Sequence, residues 1–187
     1  MRPAGGQIPR LRPGKREHQV RSPTGTTKMP HGQSSFFGIY INVPPEFVFD
    51  YLADARNMGE WSPGTDKVEL ASAGAIGLGT RFRLCWERGV GKGSFHEVVI
   101  TKHQRPSHLV FVLRDEYFEE ITQEFSFKLL EGGTLVERRV STPMTLTHAL
   151  LARLLIGPLV RPLYENSLRL LKQTVEARAR QGKRGLH

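Results

Sequence analysis

VPPEFVFDYLADARNMGEWSPG, residues Val43 to Gly64, joins a proline-started amphipathic helix to a Trp-Ser-Pro turn. Pro44 and Pro45 suit the first turn of a helix, where a missing amide hydrogen would have no intrahelical acceptor in any case. Val48, Phe49, Leu52 and Ala55 then recur on one face, and Asn57 to Trp61 predicts a short second helix. Upstream, Phe37, Ile39, Ile41 and Val43 alternate as in a half-buried strand. The domain therefore opens as one strand followed by two short helices.

Downstream the period shortens. Asp66 onward is strand-like, Gly74 to Gly79 supplies a turn, and Phe82, Leu84 and Trp86 alternate with Arg81, Arg83 and Glu87. Further strands are predicted over 94–104, 109–114, 121–129 and 134–142, with Arg105-Pro106 and Glu131-Gly132-Gly133 as turns. From Thr145 the spacing lengthens to three or four, through Leu146, Leu150, Leu154, Gly157, Val160, Tyr164, Leu168, Leu171 and Val175. This is a long amphipathic helix, with a kink or restart expected where Gly157, Pro158 and Pro162 interrupt its hydrogen bonding. An antiparallel sheet with one apolar face needs a cover, and only this last helix is long enough to provide one. The predicted class is α+β: a curved antiparallel sheet wrapped around a long C-terminal helix, with two short helices after the first strand.

The order of these pieces resembles the START-like (SRPBCC) superfamily, in particular its polyketide cyclase/dehydrase and lipid-transport branch. The resemblance rests on PPEFVFDYLAD at Pro44 to Asp54, NMGEWSPGTDKVEL at Asn57 to Leu70, GLGTRFR at Gly77 to Arg83, EGGTLVERRV at Glu131 to Val140, and the closing helix. It covers about residues 36–178. It implies a helix-grip fold with a cavity between the sheet and the last helix, suited to a lipid, a polyketide or another hydrophobic ligand. The lining it implies is Trp61, Phe82, Leu84, Trp86, Phe111, Phe125, Phe127, Leu150, Leu154 and Tyr164. Enzymes, carriers and receptors share this fold, so activity has to be argued from particular residues.

The 187 residues suffice for one domain with a hydrophobic core, and a single domain is expected. The net charge of +9 lies at the ends: residues 1–35 carry seven Lys or Arg against one Glu, residues 161–187 carry seven against two, and the segment between is left at −2. A dedicated nucleic-acid binder carries its basic residues on a folded face interleaved with aromatics, so no specific nucleic-acid partner is expected. At most, the basic ends would make weak peripheral contact with an anionic membrane. Residues 1–35, with five prolines and five glycines, read as a disordered basic extension, residues 36–178 as the ligand-binding domain, and residues 179–187 as a basic disordered tail. The first 30 residues hold no apolar core of a secretory signal, and the run Ala149 to Val160, broken by Arg153, is too short to span a bilayer. With Cys85 as its single cysteine, the chain reads as a cytoplasmic protein without an intrachain disulfide.

No HExxH, cysteine cluster or close histidine pair is present, so no metal is expected. Gly89 to Gly93, GVGKG, lacks the Ser or Thr and the following helix of a phosphate loop and reads as a hairpin turn. With no nucleotide fingerprint, no cofactor is expected either. Three polar residues share parity with apolar strand faces: His96 with Val98 and Ile100, Gln123 with Ile121 and Phe125, and Arg138 with Val136 and Val140. Each is either a hydrogen-bonded core or rim group or a polar assistant to a ligand or substrate. Trp61 either lines the cavity or pins the helical segment to the sheet. These residues form no recognised catalytic constellation, which favours a ligand-binding protein without chemistry. The alternative is a cyclase, aromatase or dehydrase assisted by His96, Gln123 and Arg138. A further alternative is a quinone-lipid chaperone or a ribosome-associated interaction module.

Overall fold

Strand β1, Gln33–Ile41, turns Phe37, Ile39 and Ile41 toward the core and leaves Phe36 exposed on the other face. The computed structural model describes residues 33–65, 67–85, 95–114, 120–143 and 157–184. Helix α1, Pro45–Ala53, starts on an extended Pro44, whose carbonyl accepts from the amides of Phe47 and Val48 at 3.1 and 3.3 Å. Val48, Phe49 and Leu52 are buried while Glu46 and Asp50 face solvent, as the apolar spacing dictates.

Asp54 ends α1 and caps the following 3-10 turn, Ala55–Asn57, by accepting from the Arg56 amide at 3.1 Å. The Asn57 side-chain amide donates back to the Tyr51 carbonyl at 2.8 Å, satisfying one of the carbonyls that α1 leaves open at its end. Helix α2, Met58–Trp61, follows directly and stops before the Pro63-Gly64 turn, where Gly64 has φ +90°.

The remaining strands are β2 (Lys67–Leu70), β3 (Arg81–Cys85), β4 (Phe95–Gln104), β5 (His108–Arg114), β6 (Ile121–Leu130) and β7 (Gly133–Thr142). With β1 they form one antiparallel sheet in the order β1-β7-β6-β5-β4-β3-β2. The register is irregular between Ile100 and Lys102 of β4. Glu131 and Gly132, both at positive φ, form the two-residue turn between β6 and β7. Gly133 belongs to β7 and not to the turn. A Cβ there would lie 2.5 Å from both the Ile41 carbonyl oxygen and the Tyr40 hydroxyl.

Helix α3, Gly157–Arg184, carries Leu168, Leu171 and Val175 on its buried face. These join α1, α2 and the sheet in one core that includes Phe82, Phe111, Phe125 and Val136. Polar contacts fix the helix to β1 and to the first helices. Lys172 Nζ donates to the Tyr40 carbonyl at 2.7 Å, and the Asn42 amide donates to Glu176 at 2.9 Å. Arg178 pairs with Glu60 and lies over the Tyr51 ring at 5.1 Å. The arrangement is a helix-grip: a curved seven-stranded sheet closed by its C-terminal helix.

Two boundaries differ from the sequence reading. The sheet begins at Gln33 rather than after residue 35, because Gln33 to Ser35 pair with Val140 to Thr142. The C-terminal helix continues to Arg184 instead of giving way to a tail after residue 178. Helix α3 begins at Gly157 with Pro158 in its first turn and Pro162 inside it, and what precedes it lies outside the described residues.

Candidate functional site: a buried arginine on the concave face

The sheet places Arg138 in the middle of the core. On β7 it opposes Phe37 of β1 and Phe125 of β6, and it is 3% exposed. Arg138 Nη2 donates to Gln123 Oε1 at 2.6 Å, and Nη1 donates to Ser167 Oγ of α3 at 2.8 Å. The Ser167 hydroxyl gives its own hydrogen to the Tyr164 carbonyl at 3.0 Å, which leaves its oxygen as the acceptor. Arg138 Nε is buried with no partner.

Aromatic rings surround the guanidinium. Its central carbon lies 4.7 Å from the Tyr164 ring centroid and 5.5 Å from those of Trp61 and Phe125. These separations fall within the range in which a ring quadrupole attracts a cation. Trp61 meets Phe125 edge to face at 6.2 Å, Phe111 meets Phe125 likewise, and Tyr164 stacks obliquely on Phe37. Burial pushes the Arg138 pKa down to about 10, with Tyr164 pulling the other way. At neutral pH the group remains a cation although it is buried.

Of the three polar residues picked out by parity, the structure brings two together. Gln123 and Arg138 are bonded directly, whereas His96 opposes Leu84 where β4 pairs with β3. Gln123 faces Phe111, which faces Ile100, and His96 is four residues further along β4. That is about 13 Å along the strand, at the usual rise per residue. His96 is buried at 4% exposure. Phe82, Leu84, Phe111, Phe125, Phe127 and Trp61 are all buried, and Tyr164 is half-buried. Trp86, Leu150 and Leu154 lie outside the described residues, as does the Gly89 to Gly93 turn.

Sequence reasoning missed Ser167. Its signal was its place one residue before Leu168 on the inward stripe, three after Tyr164, where a small hydroxyl at 3% exposure reaches the guanidinium. Among the described residues no group of three or more His, Cys, Asp or Glu could hold a metal, and no helix is long and apolar enough to cross a membrane.

The fold is shared with solved proteins of low sequence identity. The ZhuI aromatase/cyclase from Streptomyces sp. R1128 is 16% identical over 80% of this chain and 96% of that one, with a TM-score of 0.61. The di-domain aromatase/cyclase StfQ of the steffimycin biosynthetic pathway is 15% identical over 78% of this chain and 51% of that one, with a TM-score of 0.62. A protein from Thermus thermophilus is 20% identical over 78% of this chain and 98% of that one, with a TM-score of 0.59. No curated protein matches the sequence. The family described as polyketide cyclase/dehydrase and lipid transport matches residues 34–176, and the chain belongs to that family.

Proposed function

We propose that the protein binds a small or medium hydrophobic ligand, such as a lipid or a polyketide-like molecule, between the concave sheet face and α3. The domain that does so spans about residues 33–184. The observation that carries this reading is the make-up of the concave face. Phe82 and Leu84 of β3, Val98 and Ile100 of β4, Leu109 and Phe111 of β5, Phe125 and Phe127 of β6 and Val136 of β7 are buried in one core, and beside them stands a polar cluster, Gln123, Arg138 and Ser167. Apolar pockets with a few convergent polar groups are the usual form of small-molecule sites, and membership of a lipid-transport family agrees with that reading. Native mass spectrometry of the purified protein, with organic extraction of whatever accompanies it, is the test. A stoichiometric apolar ligand is expected. Repeated absence of any such ligand, with no binding of added fatty acids or aromatic polyketides, would remove this function.

The second reading is an enzyme of the cyclase, aromatase or dehydrase type. It is favoured by one observation, the direct bond between Gln123 and Arg138, which would hold a donor ready for a carbonyl or enolate oxygen. His96 would be its remote polar assistant. Incubation with a poly-β-keto substrate tests it, with a changed product distribution expected on alanine substitution of all three residues. An unchanged distribution ends this assignment.

A further inference from the structure

Three arginines of this chain show what the free edge of a guanidinium does here. Arg56 directs Nε and Nη2 at the two carboxylate oxygens of Asp54, at 2.8 and 2.6 Å. Arg105 directs the same two atoms at Asp50, at 2.7 and 2.9 Å. Arg138 offers the same edge, but Nη2 meets the single amide oxygen of Gln123 and Nε meets nothing. The two exposed arginines have carboxylates on this edge, and the buried one has half of a neutral substitute.

The missing half has a physical meaning. Neutral oxygens and ring faces lower the energy of a buried cation, but they leave its charge in place. Buried charges in proteins are normally paired, and an unpartnered buried donor is costly. A carboxylate fits the Nε and Nη2 edge with two parallel hydrogen bonds and cancels the charge as well. No carboxylate among the described residues pairs with Arg138, which leaves this edge open to a complementary anion supplied by a ligand.

We propose that Arg138 is the recognition site for the carboxylate of an apolar monocarboxylic acid, with the acid's hydrocarbon or aromatic body lying against the concave face. The inference rests on the ligand-binding reading above and specifies the head group. Trp61 and Phe125 are fully enclosed, while Tyr164 is half-buried, so the head group reaches the guanidinium from the Tyr164 side as that ring moves. Nη2 carries two hydrogens, so it can serve the Gln123 oxygen and a ligand carboxylate together.

The test compares acids with their own methyl esters at neutral pH, which holds the apolar body constant and removes only the charge. Dansyl-undecanoic acid and pyrenebutyric acid, each beside its methyl ester, are titrated by fluorescence into the full chain. The acid of at least one pair is expected to bind more tightly than its ester by roughly tenfold or more. In Gln123→Glu the new carboxylate stands where the amide oxygen lies 2.6 Å from Nη2, so the acid loses its advantage over the ester. The wild-type comparison stands alone if that variant fails to fold. Equal affinity for acid and ester overturns the head-group assignment and leaves hydrophobic binding intact. Binding of neither member of either pair overturns both.

Discussion

Gln123 and Arg138 are hydrogen-bonded at 2.6 Å although neither faces the other across the sheet: Gln123 opposes Val140, and Arg138 opposes Phe125. The contact is diagonal, a reach that long side chains manage between adjacent strands. Each residue satisfies a polar atom that the other would leave stranded in the core.

Loss of one partner should therefore cost more than loss of both. Gln123→Leu leaves Nη2 without an acceptor and should destabilise by about 1–3 kcal/mol. Arg138→Met removes the buried charge itself, and replacing buried ionic groups by apolar ones of similar volume is often close to neutral. The double variant should be more stable than Gln123→Leu alone. Urea unfolding of the four proteins measures this, and additive losses would show that the two side chains do not depend on each other.

Trp61 is 1% exposed and touches both Phe125 and Arg138. Trp61→Ala should cost about 3–5 kcal/mol, the usual range for emptying a large aromatic site. A loss below about 1 kcal/mol in urea unfolding would show that the core collapses into the space, as sites able to relax do.

Gly133 is required by close approach rather than by an unusual backbone angle. The Cβ of Gly133→Ala would meet the Ile41 carbonyl oxygen at 2.5 Å, and that oxygen belongs to the backbone of β1. The strands must part to admit it, at a cost of about 1–3 kcal/mol by analogy with overpacked cores. Gly132→Ala in the adjacent turn is strained for a different reason, its φ of +79°. The Tyr40 ring carbon Cζ would also lie 2.7 Å away, so thermal unfolding of Gly133→Ala together with Tyr40→Ala separates the backbone contact from the side-chain ones. If the backbone contact dominates, removing the tyrosine ring recovers little stability.

Glu176 ties α3 to β1 and should make the contact sensitive to acid. Burial alone would raise its pKa, but the Asn42 amide and the Lys172 ammonium outweigh burial and hold it below its ordinary value of 4.5. A carboxylate depressed in the folded state contributes stability above its unfolded pKa and loses it as pH falls through the folded value. The stability difference between wild type and Glu176→Gln should be full at neutral pH and shrink below pH 4.5. Glu137, depressed by Lys128 and Ser126, keeps some acid dependence in the variant. A difference unchanged down to pH 2.5, roughly a unit or two below an ordinary carboxylate, would show that the charge plays no part.

The alternation of Phe37, Ile39 and Ile41, the Pro44-Pro45 start and the three-to-four spacing from Tyr164 to Val175 were legible because each pattern lies within a few residues of sequence. They specified a strand, the first helix and the long last helix, and their order determined the helix-grip. The inward parity of Gln123 and Arg138 was legible for the same reason. Their union with Ser167 was not. These residues are 15 and 29 positions apart, and no local period connects them. Only the diagonal register of β6 on β7, with α3 laid across it, decided that one guanidinium would meet an amide, a hydroxyl and three rings. The separation of His96 from that cluster was likewise a matter of register, since parity specifies which face a strand residue occupies and says nothing of how far along the sheet it lies.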